Sequence, residues 1–190
     1  MLTFTLDTNC IIDVAEERPA ARHVRRLLNA AGSGTISLAL VASSASERQQ
    51  AGGFLESAAI FKERCASLGF GDLELLLPLA RWNFSFWDMA LWAGPESEAR
   101  EEEIYRILFP QSEYHWSDYA VANGIDPNCR NGRHYYRWRN KILDAQAYWA
   151  HDHAGRQIFV TSDDGFRKLE GQSNFPAAIV RTPEGAVSLL

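Results

Sequence analysis

Two apolar segments that each end in an acid constrain this chain most. The run "LTFTLD" alternates Leu2, Phe4 and Leu6 with Thr3 and Thr5, the period of a strand, and delivers Asp7, Thr8 and Asn9 where that strand should end. Near the other end, "RQIFVTSDD" repeats the arrangement, with Ile158, Phe159 and Val160 followed by Thr161, Asp163 and Asp164. Between them, "RPAARHVRRLLNAAGSG" carries helical spacing at Val24, Leu27 and Leu28 with a Gly-Ser-Gly stop, and "TISLALVAS" reads as a second strand running into the polar "SSASERQQ", expected to begin a helix. A β, α, β, α opening predicts a parallel α/β sheet. In such sheets ligands collect outside the carboxyl ends of the strands, where these acids lie. An Asp-x-Asn after a strand also serves simply as a turn.

The 190 residues predict a single domain, residues 1–190, with an ordinary hydrophobic share of 46% and enough length to bury a core. A helix is expected around "FLESAAIFKERCASLG", and the stretch from about 52 to 132 is expected to be a largely helical elaboration. Its acids Glu96, Glu98, Glu101, Glu102 and Glu103 read as the solvated first turns of a helix. "RHYYRWRNKILDAQAYWAHDHAG" sets Tyr135, Trp138, Ile142, Ala145 and Trp149 at helical spacing. The end of the chain, "AAIVRT" and "AVSLL" around a "PEG" turn, reads as an edge strand pair.

The three cysteines, Cys10, Cys65 and Cys129, form no C-x-x-C pair, which argues against a zinc cluster or a disulfide framework. No segment has the character of a signal sequence or a membrane span, so a soluble, cytoplasmic protein with no membrane partner is expected. A formal net charge of -5 disfavours nucleic-acid binding through overall charge, yet allows a local basic groove.

Two further acids are placed to join the strand-end pair: Glu47, shortly after the second strand, and Asp144, in the long helix. Clustered carboxylates repel and are costly to desolvate unless a cation sits among them, and oxygen-only ligands suit Mg²⁺ or Mn²⁺. Asp7, Glu47, Asp144 and Asp163 are therefore the candidate metal-binding and catalytic residues, with Asn9 and Thr161 suited to orienting a ligand, a water or a carboxylate.

These segments resemble the PIN-domain nucleases. The likeness rests on "TLDTNCIID", on an acid after the second strand at Glu47, and on "ILDAQAYWAHDHAGRQIFVTSDDGF", in which Asp144 precedes Asp163 by 19 positions and Thr161 and Phe166 flank the latter. It covers residues 1–50 and 140–170. Gly165 stands where the family often has a second acid, with Asp164 beside Asp163 instead, so Asp164 is expected to support the cluster from outside it. The resemblance implies a three-layer α/β/α sandwich with a central, mostly parallel sheet, one or two Mg²⁺ or Mn²⁺ ions, and metal-dependent cleavage of RNA, less often DNA. It leaves open an antitoxin-like or other protein partner and a homodimer.

For the substrate, Arg130, Arg133, Arg137, Arg139 and Lys141 follow one another without an acid between Asn128 and Leu143, interleaved with His134, Tyr135, Tyr136 and Trp138. Arginine among aromatics suits single-stranded nucleic acid, and Arg137, Arg139 and Lys141 are the candidate RNA contacts. Two other functions fit the residues: a catalytically weak or inactive RNA-binding or scaffold module on the same fold, and a phosphohydrolase acting through an aspartyl-phosphate on Asp7. The last class usually has a second Asp two positions on, where this chain has Asn9.

Overall fold

The computed structural model describes residues 1–43, 57–82, 85, 88–92 and 94–190. Five strands, β1 (Thr3–Leu6), β2 (Ser37–Val41), β3 (Glu74–Leu76), β4 (Ile158–Val160) and β5 (Val180–Arg181), form one sheet in the order β3-β2-β1-β4-β5. Every pair is parallel: Phe4 lies opposite Leu38 and Ile158, Leu6 opposite Leu40 and Val160. Parallel strands need crossovers, and these are supplied by α1 (Thr8–Ala15) with α2 (Ala21–Gly32), then α3 (Ala58–Ser67), α4 (Pro95–Leu108), α5 (Trp116–Ala122) and α6 (Gly132–His153). A 3-10 helix (Asp164–Leu169) and a short α7 (Pro183–Val187) complete the chain.

The alternation in "TFTL" divides the molecule into layers. Phe4, Leu6, Leu38, Leu40, Ile158 and Val160 point to one face and pack with Ile11 and Val14 of α1, Val24 and Leu27 of α2, Phe61 of α3 and Val187 of α7. The other face presents Ala39, Val41, Phe159 and Val180 to Ile104 and Tyr105 of α4 and to Ile142, Ala145 and Trp149 of α6. A sheet buried on both faces with helices on each is the three-layer arrangement expected for all-parallel strands. Thr5 shares the second face, where its Oγ1 is paired with His151 Nδ1 at 2.9 Å. Desolvation, aided by the nearby Arg156 charge, pushes the His151 pKa down to about 3, so the imidazole stays neutral. At the amino end Arg156 donates to the carbonyls of Phe4 (2.9 Å) and Ser37 (3.0 Å), stitching β1 to β2.

Three expectations change. The stretch from 52 to 132 contributes the edge strand β3 as well as helices. The final apolar "AV" is helical rather than a strand, because Thr182 caps α7 by accepting from the Gly185 N–H (3.1 Å) and Pro183 fits the first turn. Glu101 is not solvated. It is fully buried and its Oε1 accepts from Arg81 Nη2 (2.6 Å) and the Tyr114 hydroxyl (2.9 Å), while Gln146 Nε2 lies 3.4 Å from Oε2. Acids at the start of α4 thus divide by helical face, and Glu101 falls on the face that meets α6.

Burial raises the Glu101 pKa against the opposing pull of Arg81. Arg81→Ala should therefore cost about 3–5 kcal/mol of stability at pH 8, where a buried carboxylate is left unpaired. The penalty should shrink at pH 5, because a carboxyl whose folded pKa is raised gains stability from holding a proton below that value. Urea unfolding at the two pH values checks this, and an equal penalty at both would contradict it.

Candidate active site

Strand order reverses between β1 and β4. The chain passes from β1 outward through β2 to β3 on one side, while β4 and β5 occupy the other, which puts the switch point where α/β sheets bind ligands at the carboxyl ends of β1 and β4. The backbone enters it in step, with the Asp7 N–H donating to Val160 O at 3.0 Å.

Asp7 is 6% exposed and is the N-cap of α1, a helix that the apolar "CIIDVA" builds directly from the strand end. Its Oδ1 accepts from the Thr8 N–H (2.7 Å), and its Oδ2 accepts from Asn9 Nδ2 (2.8 Å) and the Thr161 hydroxyl (2.8 Å). Thr161 is the hub. Its Oγ1 donates to Asp7 and accepts from Asn9 Nδ2 (2.7 Å) and the Asp163 N–H (3.0 Å), using one donor and two lone pairs. Asn9 Oδ1 in turn accepts from the Ser162 N–H at 3.1 Å. The two strand ends are clasped through four polar residues that the sequence holds about 150 positions apart.

Despite these bonds, burial pushes the Asp7 pKa up to about 6 from 3.8, the hydrogen bonds from Thr161 and Thr8 opposing it and the charge of Asp163 adding to it. That difference corresponds to about 3 kcal/mol of resistance to ionisation. Among the described residues Oδ1 accepts from the Thr8 N–H alone.

Asp163 is exposed and caps the 3-10 helix, its Oδ1 accepting from the Gly165 N–H at 2.7 Å. A Cβ at residue 165 would lie 2.9 Å from that oxygen, so a larger residue there would require the Asp163 carboxylate to shift. Asp164 faces solvent with Arg167 at 3.2 Å, away from Asp7's hydrogen-bond partners. Asp144 is half-buried on α6. This helix runs against the strands, with His151 beside Thr5 and Tyr148 against Phe159, ring centroids 5.3 Å apart. Asp144 lies one turn beyond Tyr148 toward the carboxyl ends. Seven residues of helix rise about 10 Å from His151 to Asp144, and two residues of strand rise about 7 Å from Thr5 to Asp7, so the two acids stand at similar height. Glu47 lies outside the described residues.

Among the described residues no group of three or more His, Cys, Asp or Glu side chains is gathered closely enough to hold a metal ion. The donor chemistry that is gathered, the carboxyl of Asp7 with Asp163 acting on it, is oxygen-only and fits a hard divalent cation rather than zinc.

The basic stretch divides. Arg137 is exposed, Lys141 is half-buried with its ammonium over the rings of Phe109 (5.5 Å) and Tyr119 (5.6 Å), and Arg139 is buried at 7% exposure. Burial lowers the pKa of both Arg139 and Lys141. Arg139 shares its helix face with Tyr135 and Ile142, and helical spacing alone sorts it from Arg137.

One residue was missed. Asp13, one turn beyond Asn9 on α1, is buried and accepts from the Ser162 hydroxyl at 3.2 Å, a contact signalled only by its place in "TNCIID". Ser43, just past β2, buries a hydroxyl with no hydrogen-bond partner among the described residues. No protein-family model, curated protein or solved structure matches the chain.

Asp7→Asn should reveal the electrostatic load directly. Between the unfolded value of 3.8 and the folded value of about 6, the folded protein keeps a proton that the unfolded chain releases, so rising pH destabilises the parent and not the variant. In chelator, the stability of the parent relative to Asp7→Asn should fall by about 2–3 kcal/mol between pH 3.5 and 7.5. A difference independent of pH would show that Asp7 titrates as an ordinary acid.

Proposed function

We propose that the chain is a metal-dependent nuclease of the PIN type, hydrolysing phosphodiester bonds of single-stranded RNA at the carboxyl end of its sheet. The observation that carries this reading is the Asp7–Thr161–Asn9 clasp at the strand-order reversal, with a buried carboxyl opposed by the charge of Asp163. Asp7 and Asp163 would hold Mg²⁺ or Mn²⁺, with Asp144 and Glu47 added on the strength of the resemblance, since the three described acids alone are not gathered closely enough to hold an ion. A divalent ion held there would supply a water of lowered pKa and would neutralise charge on the departing oxygen.

The chain's own residues do the rest. Thr161 and the Thr8 N–H fix the orientation of the Asp7 carboxylate. Asn9, tied to Asp7 on one side and to the Ser162 backbone on the other, keeps the loop after β4 in register with α1 and thereby sets Asp163. Arg137, exposed on α6, is free to pair with substrate phosphate on the same helix as Asp144. Asn9 at the second position after Asp7 gives no second acid for an aspartyl-phosphate route, which ranks the phosphohydrolase last.

One observation favours the alternative of an RNA-binding module without cleavage. Both oxygens of Asp7 already accept hydrogen bonds, as a purely structural staple would. Cleavage of a labelled RNA pool and of a small phosphate ester, with Mn²⁺ or with chelator, separates the three. RNA should be cut only with the metal, Asp7→Asn and Asp163→Asn should each lower the rate by orders of magnitude, and Thr161→Val should lower it about 10- to 100-fold by loosening the carboxylate it positions. Cutting in chelator, or full rates in both Asp variants, would contradict the reading.

A further inference from the structure

A second concave site lies at the same end of the molecule and is lined by aromatic side chains. Its cavity, about 390 Å³, sits between the segment after β3 and the first turns of α6, with Trp116, Tyr135 and Trp138 among its walls. The indole N–H of Trp116 donates to Pro127 O (2.7 Å) and that of Trp138 to Tyr114 O (3.0 Å). Their polar edges are thus satisfied in the protein, and the rings contribute apolar surface to the cavity. Trp82 and Trp92 also line it and pack edge to face with centroids 6.4 Å apart, yet they are 73% and 67% exposed. Burying a tryptophan is among the larger hydrophobic gains open to a side chain, so two adjacent exposed indoles beside a preformed cavity point to a planar occupant.

Charge selects among planar occupants. Arg81 lines the cavity, but its guanidinium is engaged by the buried Glu101. The other charged residues of the described lining are Arg130 and Glu98, so the described lining carries no net negative charge to attract a cation. Arg130 is followed along the chain by the exposed Arg133 and Arg137, with no acid between Asn128 and Leu143. An uncharged ring inside and anions along the rim are the two halves of a nucleotide. Trp138 lies six residues before Asp144 on α6, about 9 Å along the helix, so one strand can reach both places.

We infer that this cavity takes one unpaired base of a single-stranded nucleic acid, stacked on Trp82 or Trp92, with the adjoining phosphates on Arg130 and Arg133. The inference rests on the nuclease reading for the identity of its ligand and adds to it a base-stacking site separate from the acids.

The test is binding of labelled octauridylate, and of an abasic octamer with the same phosphates, to the full chain in chelator. Trp82→Ala and Trp92→Ala, both at exposed positions, should weaken octauridylate roughly 5- to 150-fold and leave the abasic octamer unchanged. Trp92→Phe should restore most of the loss, and Arg130→Glu should weaken both probes. Equal parent affinity for the two octamers, or unaltered octauridylate affinity in both Trp→Ala variants, would overturn the inference. So would tryptophan quenching by a tyrosine-containing tripeptide with none by octauridylate, which would mark the cavity as a protein-docking site. Cleavage in Mn²⁺, run in parallel, separates the two readings. Cleavage that depends on Asp7 with unaltered binding in the Trp variants sinks the stacking site alone, and Trp-dependent binding without any cleavage sinks the nuclease reading alone.

Discussion

Parallel pairing of β1 with β4 joins the two ends of the chain, and the layers on both faces are arranged around it. Phe4 and Leu6 meet Ile158 and Val160 on one side, and Thr5 and Phe159 meet α6 on the other. A parallel pair of such short strands gains little from its few ladder bonds alone. The Thr161 hydroxyl, which bonds Asp7 and Asn9 across the gap, extends the pairing past the last ladder residue with side chains. Loss of that clasp would free the start of α1 and the 3-10 helix together, because Asp7 caps the first and Asp163, held through Thr161, caps the second.

Such a clasp combines two demands that oppose each other. As a helix cap and strand tie, Asp7 is well served by its hydrogen bonds, which favour the ionised form. As a buried acid beside another acid, it is destabilised when ionised, and burial is the larger effect. Asparagine would serve a simple turn, but with a single acceptor oxygen it could not accept on both sides as Asp7 does. A carboxyl placed where its charge is penalised marks a candidate functional group, and this tension motivates the proposed metal-dependent reading.

Much of this was legible in the sequence, and for identifiable reasons. Period-two alternation in "TFTL" and "SLALV", and compact apolar runs such as "IFV", locate the central strands because each must fill two faces of a buried sheet. The acid after each run locates the switch point, and the pairing of Asp7 with Thr161 and Asn9 follows once β1 and β4 are neighbours. What periodicity cannot give is the partner across space. Glu101 reads as one more acid in a solvated block, since Arg81 and Tyr114, which bury it, are distant in the chain and on other elements. Arg139 reads as one more cation in a basic run for the same reason. The last "AV" was misassigned because two apolar residues carry no period, and the Thr-Pro cap before them was the better signal.

The central proposal is spatial: one cation lies beyond β1 and β4, held by Asp7 and Asp163 and approached by Asp144 from α6. Mn²⁺ broadens the NMR signals of nearby amides, so titrating substoichiometric Mn²⁺ into labelled protein reads out the location directly. Broadening is expected first at Asp7, Thr8, Thr161 to Asp163 and the turn of α6 around Asp144, and Asp7→Asn should weaken it at all of them together. Broadening centred instead on the acid-rich start of α4 at Glu96 and Glu98, or the same pattern in parent and variant, would contradict the account.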